Sequence, residues 1–266
     1  MAFKLGDLIV DRIVTGVAEN SRGELLYTLT NLQEATIDIT ADTQEAVDGT
    51  GAVIKTFYRA KTGEFTATNS TINLPIIGAM SGTDAQYASV SAAISMPRIL
   101  MVAKTTGIAL PGINDDGAEA HIVVNAVEAN GTLGDKYSAS EYTVTAGSST
   151  QPSTMRITAR TGDTKWIIKY DRNVTENGVK IVNRSDAFPK SVKLTLKVLI
   201  VDPCESDIVR AAYVVLPNFQ PSPELSIGLS TDSTIDFTGR LQTSYCGTDK
   251  VLYEIYVCAD DEEETA

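Results

Sequence analysis

The sequence predicts an all-β chain, mainly strands with one short flanking α-helix. Three observations predict it. From Val192 to Ile200 the residues Val192, Leu194, Leu196, Val198 and Ile200 alternate with polar Lys193, Thr195 and Lys197, the period of a half-buried strand. Turn-forming clusters such as Asp48-Gly-Thr-Gly51 and Asn114-Asp-Asp-Gly117 recur along the chain and cut it into short apolar runs. Only Pro75-Ile-Ile-Gly-Ala-Met-Ser-Gly82 reads as a helix, with proline in the first turn, Ile76, Ile77 and Met80 on one face and glycine at the stop.

Taken in order, residues 1–34 read as an arm and connector, with apolar Leu8–Val10 and Ile13-Val14, a turn at Asn20–Gly23 and a strand within Glu24–Asn31. From Ala35 the alternation sharpens, Ile37 and Ile39 on one face and Thr36, Asp38 and Thr40 on the other. Val53–Tyr58 is apolar on both faces, which predicts a strand covered on both. Lys61-Thr-Gly63 is expected to turn the chain into a long return strand, Glu64–Leu74, poor in bulk and rich in Thr, Ser and Asn. A long polar strand with unpaired edges invites pairing with another chain; a protected edge is the alternative.

Between 97 and 170 glycines and prolines punctuate short strands at Ile99–Val102, Ala120–Val127, Tyr142–Thr145 and Met155–Ala159, a pattern of an inserted small sandwich or an elaborated hairpin. Trp166–Tyr170 leads back, and Asn177-Gly178 before Val179–Val182 reads as a hairpin turn. After the alternating run Pro203 breaks the chain. Strands are expected at Ala211–Leu216, Leu225–Leu229 and Ile235–Leu241, with a turn at 230–233. Val251–Val257 is the closing strand, Val251, Tyr253, Ile255 and Val257 inward. The domains expected are a core of residues 1–96 and 171–266 and an inserted β subdomain, 97–170.

Composition narrows the function. The chain has 266 residues, 43% hydrophobic, with a net charge of −12, five of the negative charges in Asp260–Glu264. That balance argues against a nucleic-acid reader, which needs basic patches. It fits either simple solubility or a surface past which nucleic acid slides without sticking. Charges at Lys4, Asp7, Asp11 and Arg12 exclude a signal peptide at the start, and no apolar run reaches membrane-span length, so the expectation is a chain made and kept in a cytoplasm until release. Cys204, Cys246 and Cys258 match no zinc spacing. Buried free thiols are expected, with a Cys204–Cys246 bridge as the alternative.

No catalytic, metal or cofactor site is expected. The single histidine, His121, falls in the apolar run Ala120–Val124 with no partner framed around it. Asn114–Gly117 lacks the spaced ligands and closing glutamate of a calcium loop. Gly247-Thr-Asp-Lys250 lacks the glycines and the hydroxyl residue of a phosphate loop.

The order FPKSVKLTLKVLIVDPC, AAYVVLPNFQPSPELSIGLSTDSTIDFTGRLQ and LYEIYV, after an earlier FYRAKTGEFTATNSTINLPIIGAMSG, resembles the major tail tube protein of long-tailed bacteriophages. The likeness covers the first hundred residues or so and the last eighty. It implies a β-sandwich of the tail-tube type flanked by a helix, a virion structural protein rather than an enzyme, assembled in the host bacterial cytoplasm. Its subunits join in hexameric rings that stack into a tube, closing exposed sheet edges into one inner barrel. The partners implied are tape-measure, tail-terminator and baseplate proteins, and a sheath if the tail is contractile. By the same resemblance DNA is expected to pass without specific binding, and neither a cofactor nor a membrane is expected.

A DNA conduit should present hydroxyls and carboxylates to its bore. Glu64, Thr66, Thr68 and Ser70 share one face of a candidate strand, and Asp236 and Thr238 share a face of another; these are the candidate lumen-facing residues, with solvated outer faces as the alternative. Asn114, Asp115, Asp116 and Gly117, with the N-terminal arm, are the candidate inter-ring contacts. The segment 97–170 exceeds a minimal tube fold. The alternative function is an immunoglobulin-like virion decoration or host-binding β-sandwich.

Overall fold

The computed structural model describes residues 7–30, 32–113, 120–148, 150–203, 205–230, 234–243 and 249–263, with the side chains of 205–208 and 259–263 excepted. It is mainly β with one α-helix. In chain order the strands are β1 (Ile9–Glu19), β2 (Leu25–Thr30), β3 (Leu32–Val47), β4 (Val53–Asn69), β5 (Gln86–Tyr87) and β6 (Ile94–Ala103), with helix α1 (Leu74–Met80) between β4 and β5. Then follow β7 (Ile108–Leu110), β8 (Val123–Val127), β9 (Leu133–Lys136), β10 (Tyr142–Thr145), β11 (Ser153–Ile157), β12 (Lys165–Val174) and β13 (Val179–Lys180). The last are β14 (Val192–Asp202), β15 (Glu205–Pro221), β16 (Ile235–Leu241) and β17 (Glu254–Glu263). The chain divides into two units, Met1–Ala85 with Ile181–Ala266, and Gln86–Lys180.

In the first unit the strands run β2-β1-β14-β15-β16-β4-β3, all neighbours antiparallel, and β17 pairs with β15 beside this path. β2 and β3 follow each other in the chain yet lie at opposite margins of the sheet, and β1 contacts β3. The sheet therefore curls until its margins meet. What drives the curl is its inner face: Leu29, Phe65, Leu194, Leu196, Leu216, Phe219 and Phe237 are fully buried together. Phe65, Phe219, Phe237 and Tyr27 meet mostly edge-on, the arrangement favoured by the ring quadrupole.

α1 packs onto this core through Ile76 and Met80. Its start is fixed by Asn73, whose side-chain oxygen accepts from the Ile76 N–H at 3.3 Å. Its end is fixed by Gly82 at φ +66°, where a Cβ would lie 2.4 Å from the Phe188 backbone. Tyr27, buried in the same cluster, has its hydroxyl titration pushed well up by burial.

Several expectations change here. The arm is in fact β1, paired on both sides. Lys61-Thr-Gly63 is no turn: β4 runs unbroken through it, and the reversal is at Asp48–Gly51, where the Asp48 carboxylate accepts from Thr50 and Ala52 N–H. Those hydrogen bonds, the Thr50 hydroxyl's first among them, hold the Asp48 carboxyl below its ordinary range. Gly63 is there for closeness, since a Cβ would come within 2.8 Å of Leu241 and 2.9 Å of Ile39.

Val53–Tyr58 is not covered on both faces; with Thr43–Val47 it forms a ribbon exposed on both, Ile54 at 69% and Tyr58 at 77% exposure. β15 does not stop at Pro217 but passes it at a register shift against β14, where a missing N–H is tolerated. Leu225–Leu229 forms no strand; prolines at 221 and 223 remove donors at its entry, and only Leu225 packs on the core. β17 starts later than expected, after Tyr253; Tyr253 and Ile255 are exposed, while Val257 packs inward. Cys258 is free and exposed rather than buried; Cys204 and Cys246, and hence their bridge, lie outside the described residues.

The second unit packs the sheet β6-β12-β8-β9 on the sheet β10-β11-β7 around Trp166, Ile168, Tyr170, Leu110 and Met155. The Trp166 indole N–H donates to the Tyr137 hydroxyl at 3.2 Å, and that hydroxyl donates to Asp163. Burial first, then the Asp163 bond, raises the Tyr137 hydroxyl's titration. Arg160 lies 4.1 Å over the Tyr137 ring and grips Glu141 with two bonds of 2.8 and 2.7 Å. His121 precedes β8 rather than lying within it, at φ 45°, its Nδ1 3.3 Å from Asp171. Asn177-Gly178 makes no hairpin with the strand before it, because β13 pairs with β5.

The Glu141 clamp gives a pH test. Hydrogen bonds from Arg160, then from Ser138, hold its carboxyl at about 2 against an ordinary 4.5. A depressed folded value contributes stability that is present above 4.5 and lost as pH falls towards 2. Thermal unfolding of the chain is expected to lose less stability across that window in Glu141→Gln than in wild type; identical slopes would remove the clamp from the account.

Candidate functional polar face of the larger unit

The inward set of β4, Phe65, Ala67 and Asn69, forces Glu64, Thr66 and Thr68 outward, because successive strand residues take opposite faces. β16 repeats this: Ile235, Phe237 and Leu241 are buried, so Asp236, Thr238 and Arg240 point out. Pairing of the two strands sets Asp236 opposite Thr68, Thr238 opposite Thr66 and Arg240 opposite Glu64. On the other side of β4, β3 sets Thr36 opposite Thr66, Asp38 opposite Glu64 and Thr40 opposite Thr62. Five of the six expected residues thus share one polar face of three adjacent strands. Ser70, exposed, lies one residue beyond β4.

Hydroxyls knit this face. Thr36 and Thr66 are 3.0 Å apart at Oγ1, Thr40 and Thr62 are 2.9 Å apart, and the Thr68 hydroxyl donates to Asp236 at 3.3 Å. Such cross-strand pairs each contribute about 0.2–1 kcal/mol. The carboxylates do the reverse: Asp38 sits directly opposite Glu64, and like charges so placed destabilise. Arg240 on the other flank of Glu64 offsets part of this.

Sequence reasoning missed Thr36, Asp38, Thr40 and Arg240 as members of this face. Their alternation was visible, but nothing local tells which distant strand will lie alongside. The expected inter-ring residues Asn114, Asp115, Asp116 and Gly117 lie outside the described residues. Among the described residues, no group of three or more His, Cys, Asp or Glu is placed to hold a metal, and no helix is long and apolar enough to cross a membrane.

Charge is divided unevenly. Residues 86–180 carry nine Lys or Arg against nine Asp or Glu, so the whole imbalance of −12 belongs to the unit bearing the polar face. The model of the YomU/Tube protein family matches residues 7–247.

The chain belongs to that family.

The match spans both units, so residues 86–180 belong to the family pattern and not only the curled sheet. No curated protein matches the chain. Membership places this YomU/Tube family chain among phage tube-like structural proteins.

Proposed function

We propose that the chain is a tail tube subunit of a long-tailed phage, that copies join edge to edge into rings, and that stacked rings form the conduit for DNA. One observation carries the reading: an acidic, hydroxyl-rich face on β3, β4 and β16 ends at β3, which pairs only with β4 among the described strands. An unpaired strand edge beside a polar face is a liability in a monomer and an asset in an assembly. Joining such edges head to tail generates a ring when the rotation closes.

In that ring Glu64, Thr66, Thr68, Ser70, Asp236 and Thr238, with Thr36, Asp38 and Thr40, line the bore. Carboxylates repel phosphate and hydroxyls keep water at the wall, so DNA slides. The exposed ribbon Thr43–Tyr58 is suited to reach a stacked ring, with Asn114–Gly117 as the other candidate contact. Hexameric symmetry, the tape-measure, terminator and baseplate partners, a sheath, and assembly in the host cytoplasm before incorporation into the virion belong to this proposal.

Negative-stain microscopy of concentrated protein tests it. Rings or tubes are expected. Persistent monomers or trimers, even with tail partners supplied, would favour a decoration or host-binding module instead. A proline at Thr36 or Asp38, on the open edge, should reduce assembly at least about tenfold while leaving the fold, because one lost edge pairing costs on the order of 1–3 kcal/mol.

A further inference from the structure

The smaller unit carries a second surface that the conduit reading does not use. One face of its β6-β12-β8-β9 sheet is filled by Trp166, Ile168 and Val124. The opposite face presents Ile99 and Met101, 68% and 63% exposed, beside half-buried Ile167 and Val123. Register makes these one patch: Met101 lies opposite Ile167, and Ile99 opposite Lys169, which lies opposite Val123. Lys165 and Lys169 bracket Ile167, both exposed. β6 pairs only with β12 among the described strands, so the patch also ends in an open edge.

An apolar patch flanked by two exposed lysines, with Asp171 at the next outward position of β12 held 3.3 Å from His121 Nδ1, on a chain of net charge −12, fits an apolar partner rich in carboxylates. The same chain supplies one. β17 pairs only with β15 among the described strands, exposes Ile255 and Tyr256 just after exposed Tyr253, and ends in Asp260-Asp-Glu-Glu263, followed in the sequence by Glu264. We propose that the β6–β12 face of one copy receives the β17 edge of a second copy, with Lys165 and Lys169 drawing in the acidic run and the apolar residues closing over each other. Two copies of the lysine face would repel, so the contact is heterologous and propagates from copy to copy. The inference rests on the self-assembly reading and adds to it the pair of surfaces used.

Zero-length carbodiimide cross-linking of mixed light- and heavy-isotope full chains tests it. The expected product joins Lys165 or Lys169 of one copy to a carboxylate within 254–264 of another, and its yield falls with added salt. Lys165→Glu with Lys169→Glu should weaken association about tenfold, with unchanged circular dichroism, since both side chains are exposed. Adding Asp260→Lys, Glu262→Lys and Glu264→Lys to that variant should restore it. Tubes that form equally well with the reversed lysines, or that yield no such cross-link, would overturn the docking while leaving the conduit reading intact. Absence of any association in the wild-type chain would overturn both.

Discussion

Particles built with Glu64→Lys and Asp236→Lys are expected to assemble with normal tubes and to eject DNA about tenfold more slowly or worse. Both side chains are exposed on the outward face of β4 and β16, so neither change touches the core. Each copy moves four charge units towards positive, and every ring multiplies that. Cations at a wall gain free energy by releasing counterions from phosphate, so the bore would hold DNA where the native wall lets it pass. The paired controls Glu64→Gln and Asp236→Asn remove charge without adding attraction and should change the rate far less. Ejection followed by dye release gives the readout; an unchanged rate in the lysine particles would take these residues off the bore.

Phe237→Ala is expected to act through the opposite face of the same strand and to lower the stability of the larger unit by about 3–5 kcal/mol. Its ring is wholly buried and meets Phe65, Phe219 and Tyr27. The loss would leave a cavity under β16, the strand that places Asp236 and Thr238. Denaturant unfolding measures the effect, and tube yield should fall with it. Stability within about 1 kcal/mol of wild type would mean that the curled sheet is not organised on this aromatic cluster.

Much of this was legible in the residues and some was not, for physical reasons. The alternation at Val192–Ile200 and Ile235–Leu241 declared both the strands and their buried faces, because one side meets a core. Pro75 and Gly82 bounded the helix to within a residue or two. Val53–Tyr58 misled because apolar residues on both faces describe equally a strand covered twice and a ribbon exposed twice. Gly63 misled because a glycine that lets two side chains approach looks like one that turns the chain. β7 and β9, three and four residues long, are too short to show a period. The site was half legible: parity picked out Thr68 and Asp236 separately, while their contact across 168 positions depends on the whole sheet.

The curled sheet also sets a timetable. β1 pairs with β14, and β4 with β16, so the early pairs β1–β2 and β3–β4 lack their second partners until a distant stretch is synthesised. Residues 86–180 are contiguous and can finish folding on the ribosome first. At about 5–20 residues per second, β4 waits roughly 10–30 s for β16 to emerge. During that interval the side of β4 that β16 will cover stays unpaired, so the nascent chain has a strand edge to protect until translation is nearly finished.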